Sequence, residues 1–360
     1  MKLLQIYLLS SALCFLMPFS QPRHEFFHAS ETKKIDKVGL FDSDSILQIT
    51  IRGNIRDIMG DRNDDAQYHP ISLSYTLNDK EVSVPLKCKT RGNFRRSKSN
   101  CQYPPILLNF SKQNAANTIF EEQDKIKLVM PCRDDEFVVR EYLVYKLYNL
   151  ITDKSFKARL VNVHLYDSLK SRETDSFYGM LLEEDGQMAK RNGMKILEKK
   201  MLRPENIESE IFLRMAVFEY LIGNTDWSLP YLHNTRIIAF DSASIPSVVP
   251  YDFDHAGIVE APYAFPPEEL QLSSTRQRRY RGNCLPDLNE FKDVIALYNR
   301  KKNEIYALYA QCPYISAKYL KSTNRFLDQF FETINNPKKF KEDFSYPCLN
   351  KNITIKGLEN

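Results

Sequence analysis

A chain of 360 residues that is 43% hydrophobic, with 22 Phe and 20 Tyr, carries enough apolar matter for a large core, which excludes a disordered protein. Its 50 basic and 46 acidic side chains leave a net charge of +4, too balanced to imply a nucleic-acid partner. The ligand class must therefore be read from a site and not from bulk charge.

At the N-terminus Lys2 precedes an apolar run from Leu3 to Phe19, and Gln21 and Pro22 follow. This is the order of a secretory signal peptide over residues 1–21, so the protein is expected to be exported to a periplasm, a cell surface or the medium. The run is slightly short for a bilayer crossing, so membrane attachment is expected only through an uncleaved leader. Setting Cys14 aside, Cys88, Cys101, Cys132, Cys284, Cys312 and Cys348 remain, an even set that permits three disulfides. Cys88 with Cys101 is the most local pairing, and Cys284 with Cys312 or Cys348 suits the C-terminal third. No C-x-x-C spacing occurs, so a structural zinc site is not expected.

Residues 22–37 read as a polar linker. Alternating apolar runs then predict strands over Ser45–Ile51, Ile71–Leu77 and Val82–Leu86, the last two separated by an Asn78-Asp79 turn. Arg91, Arg95, Arg96 and Lys98 form a basic loop around Gly92 and Asn93, and Pro104-Pro105 launches a strand through Phe110. Such a loop either covers a phosphate or is a solvated hairpin; no G-x-G-x-x-G or Walker-type loop is present to do so instead. Lys125–Met130 alternates as a strand. Apolar residues at helical spacing predict a helix over Asp135–Ile151, with Glu141 inside it. Strands over Arg159–Tyr166 and Phe177–Glu183 complete a strand-rich lobe with one helix, residues 38–186. Residues 187–360 read as mainly helical, with helices over Glu208–Ile222, Asn289–Cys312 and Ala317–Thr333.

The chemistry concentrates between Gly223 and Gly257, GNTDWSLPYLHN followed by a short strand, a turn and VVPYDFDHAG. Asp226 falls just past a helix end and Asp252 at the end of a buried strand, where side chains stay open to ligands. Brought side by side, Asp226, Asn234, Asp252 and Asp254 present oxygen ligands to a hard cation such as Mg²⁺ or Mn²⁺, the outline of a phosphoryl-transfer site. Taken singly, each is more often a turn or cap residue than a ligand. Residues 258–284 contain Arg276, Arg278, Arg279 and Arg281, a basic patch in which Arg278 and Arg279 are expected to face an acidic peptide or a phosphorylated glycan.

The RGN loop, the R-E-x-L-x-Y-x-L helix, the FYGMLLEE strand, GNTDW with Asn234, and PYDFDHAG together resemble the CotH family of spore-coat-type protein kinases over residues 87–257. The resemblance implies an α+β, two-lobed protein-kinase-like fold and an ATP- and metal-dependent phosphotransferase. Its partners would be a nucleotide and an exported protein or glycan of acidic character. It makes Asp226 the catalytic-loop Asp, Asn234 and Asp252 metal ligands, Asp254 a second acid of that cluster and Glu141 the helix Glu. Arg91 joins the nucleotide grip, and the phosphate-binding lysine is Lys127, Lys125 or Lys98. Two other readings stay open: a catalytically degenerate kinase-fold binding protein of the cell envelope, and a metal-dependent hydrolase using Asp226, His233, Asp252, Asp254 and His255.

Overall fold

Strand β1, Leu47–Gly53, alternates buried and outward residues, so Leu47, Ile49 and Ile51 commit one face to an interior. In the computed structural model, which describes residues 39–350, that interior is the lumen of a closed seven-stranded barrel. The expected leader, Cys14 and the linker up to residue 37 lie outside the described residues.

After the short helix α1, Ile55–Gly60, strands β2, His69–Leu77, and β3, Lys80–Thr90, form a hairpin. Asn78 and Asp79 turn it at φ 51° and 61°, the left-handed pair that matches strand twist. There follow β4, Ile106–Asn109; α2, Lys112–Ala115; β5, Lys125–Val129; α3, Glu136–Asn149; β6, Ala158–Asp167; and β7, Arg172–Leu182. The strand order is β1-β2-β3-β4-β5-β7-β6, and β6 closes the ring by pairing in parallel with β1 from Leu47↔Val161 to Gly53↔Asp167. Leu73, Val84, Leu108, Ile126 and Leu165 fill the lumen. Alternation reveals each strand, but closure depends on a parallel pairing between distant segments.

Past the barrel come α4, Asp185–Arg191; β8, Lys195–Leu197; α5, Ser209–Ile222; β9, Thr235–Ala239; and β10, Ser247–Pro250. The three strands make a small antiparallel sheet in the order β10-β9-β8. Helices α6, Lys292–Ala310; α7, Ala317–Asn335; α8, Pro337–Phe344; and α9, Tyr346–Leu349 complete the described chain. The mixed α and β composition expected from the sequence is present, its strands concentrated before residue 186.

A second core joins Phe218, Leu221, Ile238, Val249, Phe326 and Phe330 to Val139 and Leu147 of α3 and to Leu160 and Met180 from the barrel wall. Helix α3 is buried around most of its circumference because it lies between the barrel wall and α5–α7. Residues on both sides of position 186 thus share one core.

Among the described residues the disulfides are Cys101–Cys132 and Cys284–Cys348. The expected Cys88–Cys101 bond does not form, because Cys88 points into the barrel lumen on β3, where burial pushes its thiol up to about 12. Cys312 is free and half-buried. Among the described residues no helix is long and apolar enough to cross a membrane.

Candidate active site

Helix α5 is apolar almost all round and stops at Gly223, whose φ of 68° is the left-handed C-terminal cap. The chain then folds tightly: the Asn224 side chain accepts from the Asp226 amide at 2.9 Å, and paired backbone bonds join Ser228 to His233. Leu232 and Asn234 sit at φ 56° and 52°, and Asp252 across the cavity at 65°. Left-handed backbone at a bulky Leu is held by surrounding structure, a pattern that recurs at functional sites.

This loop orients Asp226 at both oxygens. A hydrogen bond of 3.1 Å joins Oδ1 to His233 Nε2, and the Asn234 amide donates to Oδ2 at 3.1 Å and to the Asp226 carbonyl at 2.8 Å. Burial works to raise the Asp226 pKa, but the His233 hydrogen bond and the positive fields of His255, His233 and Arg281 outweigh it and hold the carboxylate below its usual range. Beneath the loop, Arg281 donates to the carbonyls of Thr225 and Trp227 at 2.5 and 2.8 Å.

Strand β10 delivers the second acidic group. Tyr251 donates its amide to the Asn234 carbonyl at 3.0 Å, and the Asp252 amide donates to the Tyr145 hydroxyl of α3 at 2.9 Å. Phe253 turns inward against Tyr145 and Phe218, so its neighbours Asp252 and Asp254 turn the other way and line the cavity. The Tyr263 hydroxyl donates to Asp254 at 3.1 Å. Asp252 has its pKa raised, first by its enclosed setting and then by Asp254. Gly257 is required just beyond: an added methyl would overlap the Thr275 carbonyl, whose chain packs directly on it.

The roof is the loop between β3 and β4. Arg91, Gly92 and Phe94 line a cavity of about 580 Å³ that Asp226, Asn234, Asp252, Asp254, His233 and His255 share. Arg95, 8% exposed, reaches inward to donate to the Met130 carbonyl at 2.7 Å and to Glu141 at 3.3 Å, and its guanidinium lies 3.7 Å from Asp254. Burial pushes the Glu141 carboxyl up, with Arg95 pulling against it, while Tyr263, Asp254 and Glu141 keep the guanidinium charged against its own burial cost.

The structure therefore brings Asp226, Asn234, Asp252, Asp254 and Arg91 into one cavity and corrects other expectations. Lys127 does not reach Glu141: its ammonium binds Asp185 at 2.5 Å, which Arg236 also grips at 2.6 Å, and burial lowers its pKa. Lys98 and Lys125 are exposed and do not line the cavity. The basic segment is not a free patch. Arg278 donates to the carbonyls of Leu221 and Phe326 and lies over the Phe326 ring, so its burial brings its pKa down to about 9. Arg279 stacks on Tyr346, and Arg276 pairs with Glu260. Arg278 thus answers backbone carbonyls of α5 and α7, while Arg276 and Arg279 are engaged by a carboxylate and a ring.

Sequence reasoning placed Arg95 in a loop that could cover a phosphate but missed its pairing with Glu141, and it missed Asp185 as the partner of Lys127. The clustering of arginines after Thr90 signals the loop, and nothing local signals either pairing.

Among the described residues no three His, Cys, Asp or Glu side chains converge into a ready-made metal cage. The donor set is nonetheless the kind Mg²⁺ takes, since that ion commonly uses one or two carboxylates and completes its shell with water and phosphate oxygens. Asp252, Asp254 and the Asn234 amide oxygen are the groups that would hold it.

No family model and no curated protein matches the chain. Among solved structures it is similar to the Helicobacter pylori proinflammatory kinase CtkA, with 12% identity, a TM-score of 0.40, and coverage of 68% of this chain and 90% of that one.

Proposed function

We propose that the cleft is the active site of a CotH-like, metal-dependent phosphotransferase that moves the γ-phosphoryl group of ATP to a hydroxyl of an exported protein or glycan. The observation that supports it is one cavity in which a carboxylate oriented at both oxygens, Asp226, accompanies a second acidic pair, Asp252 and Asp254, under an arginine-bearing roof. The acceptor oxygen attacks the γ-phosphorus, the bond from that phosphorus to the β-bridging oxygen breaks, ADP leaves, and the hydroxyl proton passes to Asp226. Held by His233 and Asn234, Asp226 stays ionised and aimed, as a general base requires. Asp252, Asp254 and Asn234 would hold Mg²⁺ or Mn²⁺, which would neutralise charge on the phosphates. The Asp226–His233 pair by itself also suits a metal-dependent hydrolase, the second reading that the same cavity supports.

The test is a thermal-shift titration with ATP and Mg²⁺ or Mn²⁺, followed by a phosphoryl-transfer assay. Ligand at about 100 times its Kd adds roughly 2.7 kcal/mol to stability. A metal-dependent shift present in the wild type and lost in Asp252→Ala supports the reading. No shift with either metal moves the protein to a nucleotide-free binding role.

A further inference from the structure

A phosphate site beside three carboxylates needs a cation, and the strand lysine is committed elsewhere, between Asp185 and the rings of Phe156 and Tyr251. The cations that face the cavity come from the roof instead. Among the described residues no side-chain hydrogen bond or ion pair engages the Arg91 guanidinium, which lines the cavity and whose positive charge works against the rise in the Asp252 pKa. Arg95 stands behind it, bridging Glu141 of α3 to Asp254, and its Nε–H is buried with no partner.

The loop that carries both is fastened from outside. The Cys101–Cys132 bond ties its far end to the segment before α3, and the Gln102 amide donates to the Cys132 carbonyl at 3.1 Å. Arg62 donates to the carbonyls of Arg96, Cys101 and Gln102, while the Arg91 amide donates to Pro105 at 2.9 Å. A roof fixed in this way keeps its cations in place before a ligand arrives, which lowers the ordering cost of binding.

We propose that this stapled loop is the phosphate-recognition element of the cleft: Arg91 contacts the oxyanions of a nucleoside triphosphate, and Arg95 is a positioning residue that holds Glu141 and Asp254 in register beneath them. The inference rests on the phosphotransferase reading and assigns its anion site to arginines in place of a lysine. The roof guanidiniums stand opposite Asp252 and Asp254 across one cavity, so an anionic polyphosphate would enter together with a divalent cation that offsets those acids. Guanidinium suits the task because it stays charged when buried and offers a planar fork to phosphate.

The experiment uses the full chain and two probes, Mg²⁺-ATP and Mg²⁺-tripolyphosphate, measured by calorimetry and thermal shift. Arg91→Met is expected to weaken both probes roughly tenfold or more while the unliganded Tm stays unchanged, and Arg91→Lys to recover part of the loss. Arg95→Lys, which keeps the charge and loses the fork, is expected to weaken tripolyphosphate several-fold; it and Arg91→Met carry the test if Arg95→Met does not fold. Arg91→Met binding both probes like the wild type while Asp252→Ala binds neither overturns the loop assignment and leaves the phosphotransferase reading intact. A wild-type protein that binds neither probe overturns both.

Discussion

Both Asp226 oxygens are occupied by donors in the free protein, so the group is aimed without being strongly basic. Asp226→Asn is therefore expected to lower the rate of phosphoryl transfer by about 10²–10⁴-fold with ATP affinity little changed, a split between kcat and Kd that steady-state and binding measurements resolve. Below this loop, Glu219 of α5 is buried and neither of its oxygens makes a well-formed hydrogen bond, although Asn224 lies alongside. Burial pushes its carboxyl up to about 8. The folded state thus binds this proton more tightly than the unfolded chain does. Its contribution is intact below the ordinary Glu range and is lost as pH rises from about 4.5 towards 8, at up to roughly 1.4 kcal/mol per pH unit. Urea midpoints measured across that window should fall for the wild type and stay flatter for Glu219→Gln. At this scale the sequence is readable where the cavity is built from one local stretch. Asp226, Asn234, Asp252 and Asp254 sit at element ends within a short stretch, and their turn chemistry marks them. The pairings Arg95–Glu141 and Lys127–Asp185 are not readable, because tertiary packing chooses between several equally spaced Lys and Arg residues.

Individual elements follow their patterns closely. The apolar spacing predicts a helix over Asp135–Ile151, and α3 spans Glu136–Asn149; the Lys125–Met130 alternation ends one residue beyond β5. Short pieces such as α1 and β8 escape because six or three residues carry no period. The segment after β10 depends on a close approach at Gly257, where the Thr275 backbone leaves no room for a methyl group. Gly257→Ala is expected to cost about 1–3 kcal/mol by overpacking and to disturb ligand binding as Asp252 and Asp254 shift, both visible in one thermal-shift series. The Cys284–Cys348 bond acts at the same scale, closing a loop of sequence separation 64 around α6, α7 and α8. Replacing both cysteines by serine should cost at most about 4 kcal/mol by chain entropy, read from guanidinium midpoints.

For the molecule as a whole, α3 is the element that joins the barrel to the helical core. It packs on the barrel wall through β6 and β7 and on the helical core through α6, so separating the strand-rich part at residue 186 would strip one face of it. A single unfolding transition is expected, with far-ultraviolet circular dichroism and the fluorescence of Trp227, the sole and buried indole, changing together. Two separated transitions would show that the barrel stands alone. Barrel closure also sets a timetable for the chain as it is made. Strand β1 emerges early, hairpin β2–β3 covers one of its edges, and the other edge stays open until Leu47 meets Val161. During synthesis a long nascent segment therefore carries a half-satisfied apolar strand that can pair with a neighbouring chain. Late ring closure makes the yield of native protein, more than its final stability, the quantity most sensitive to the rate at which β6 arrives.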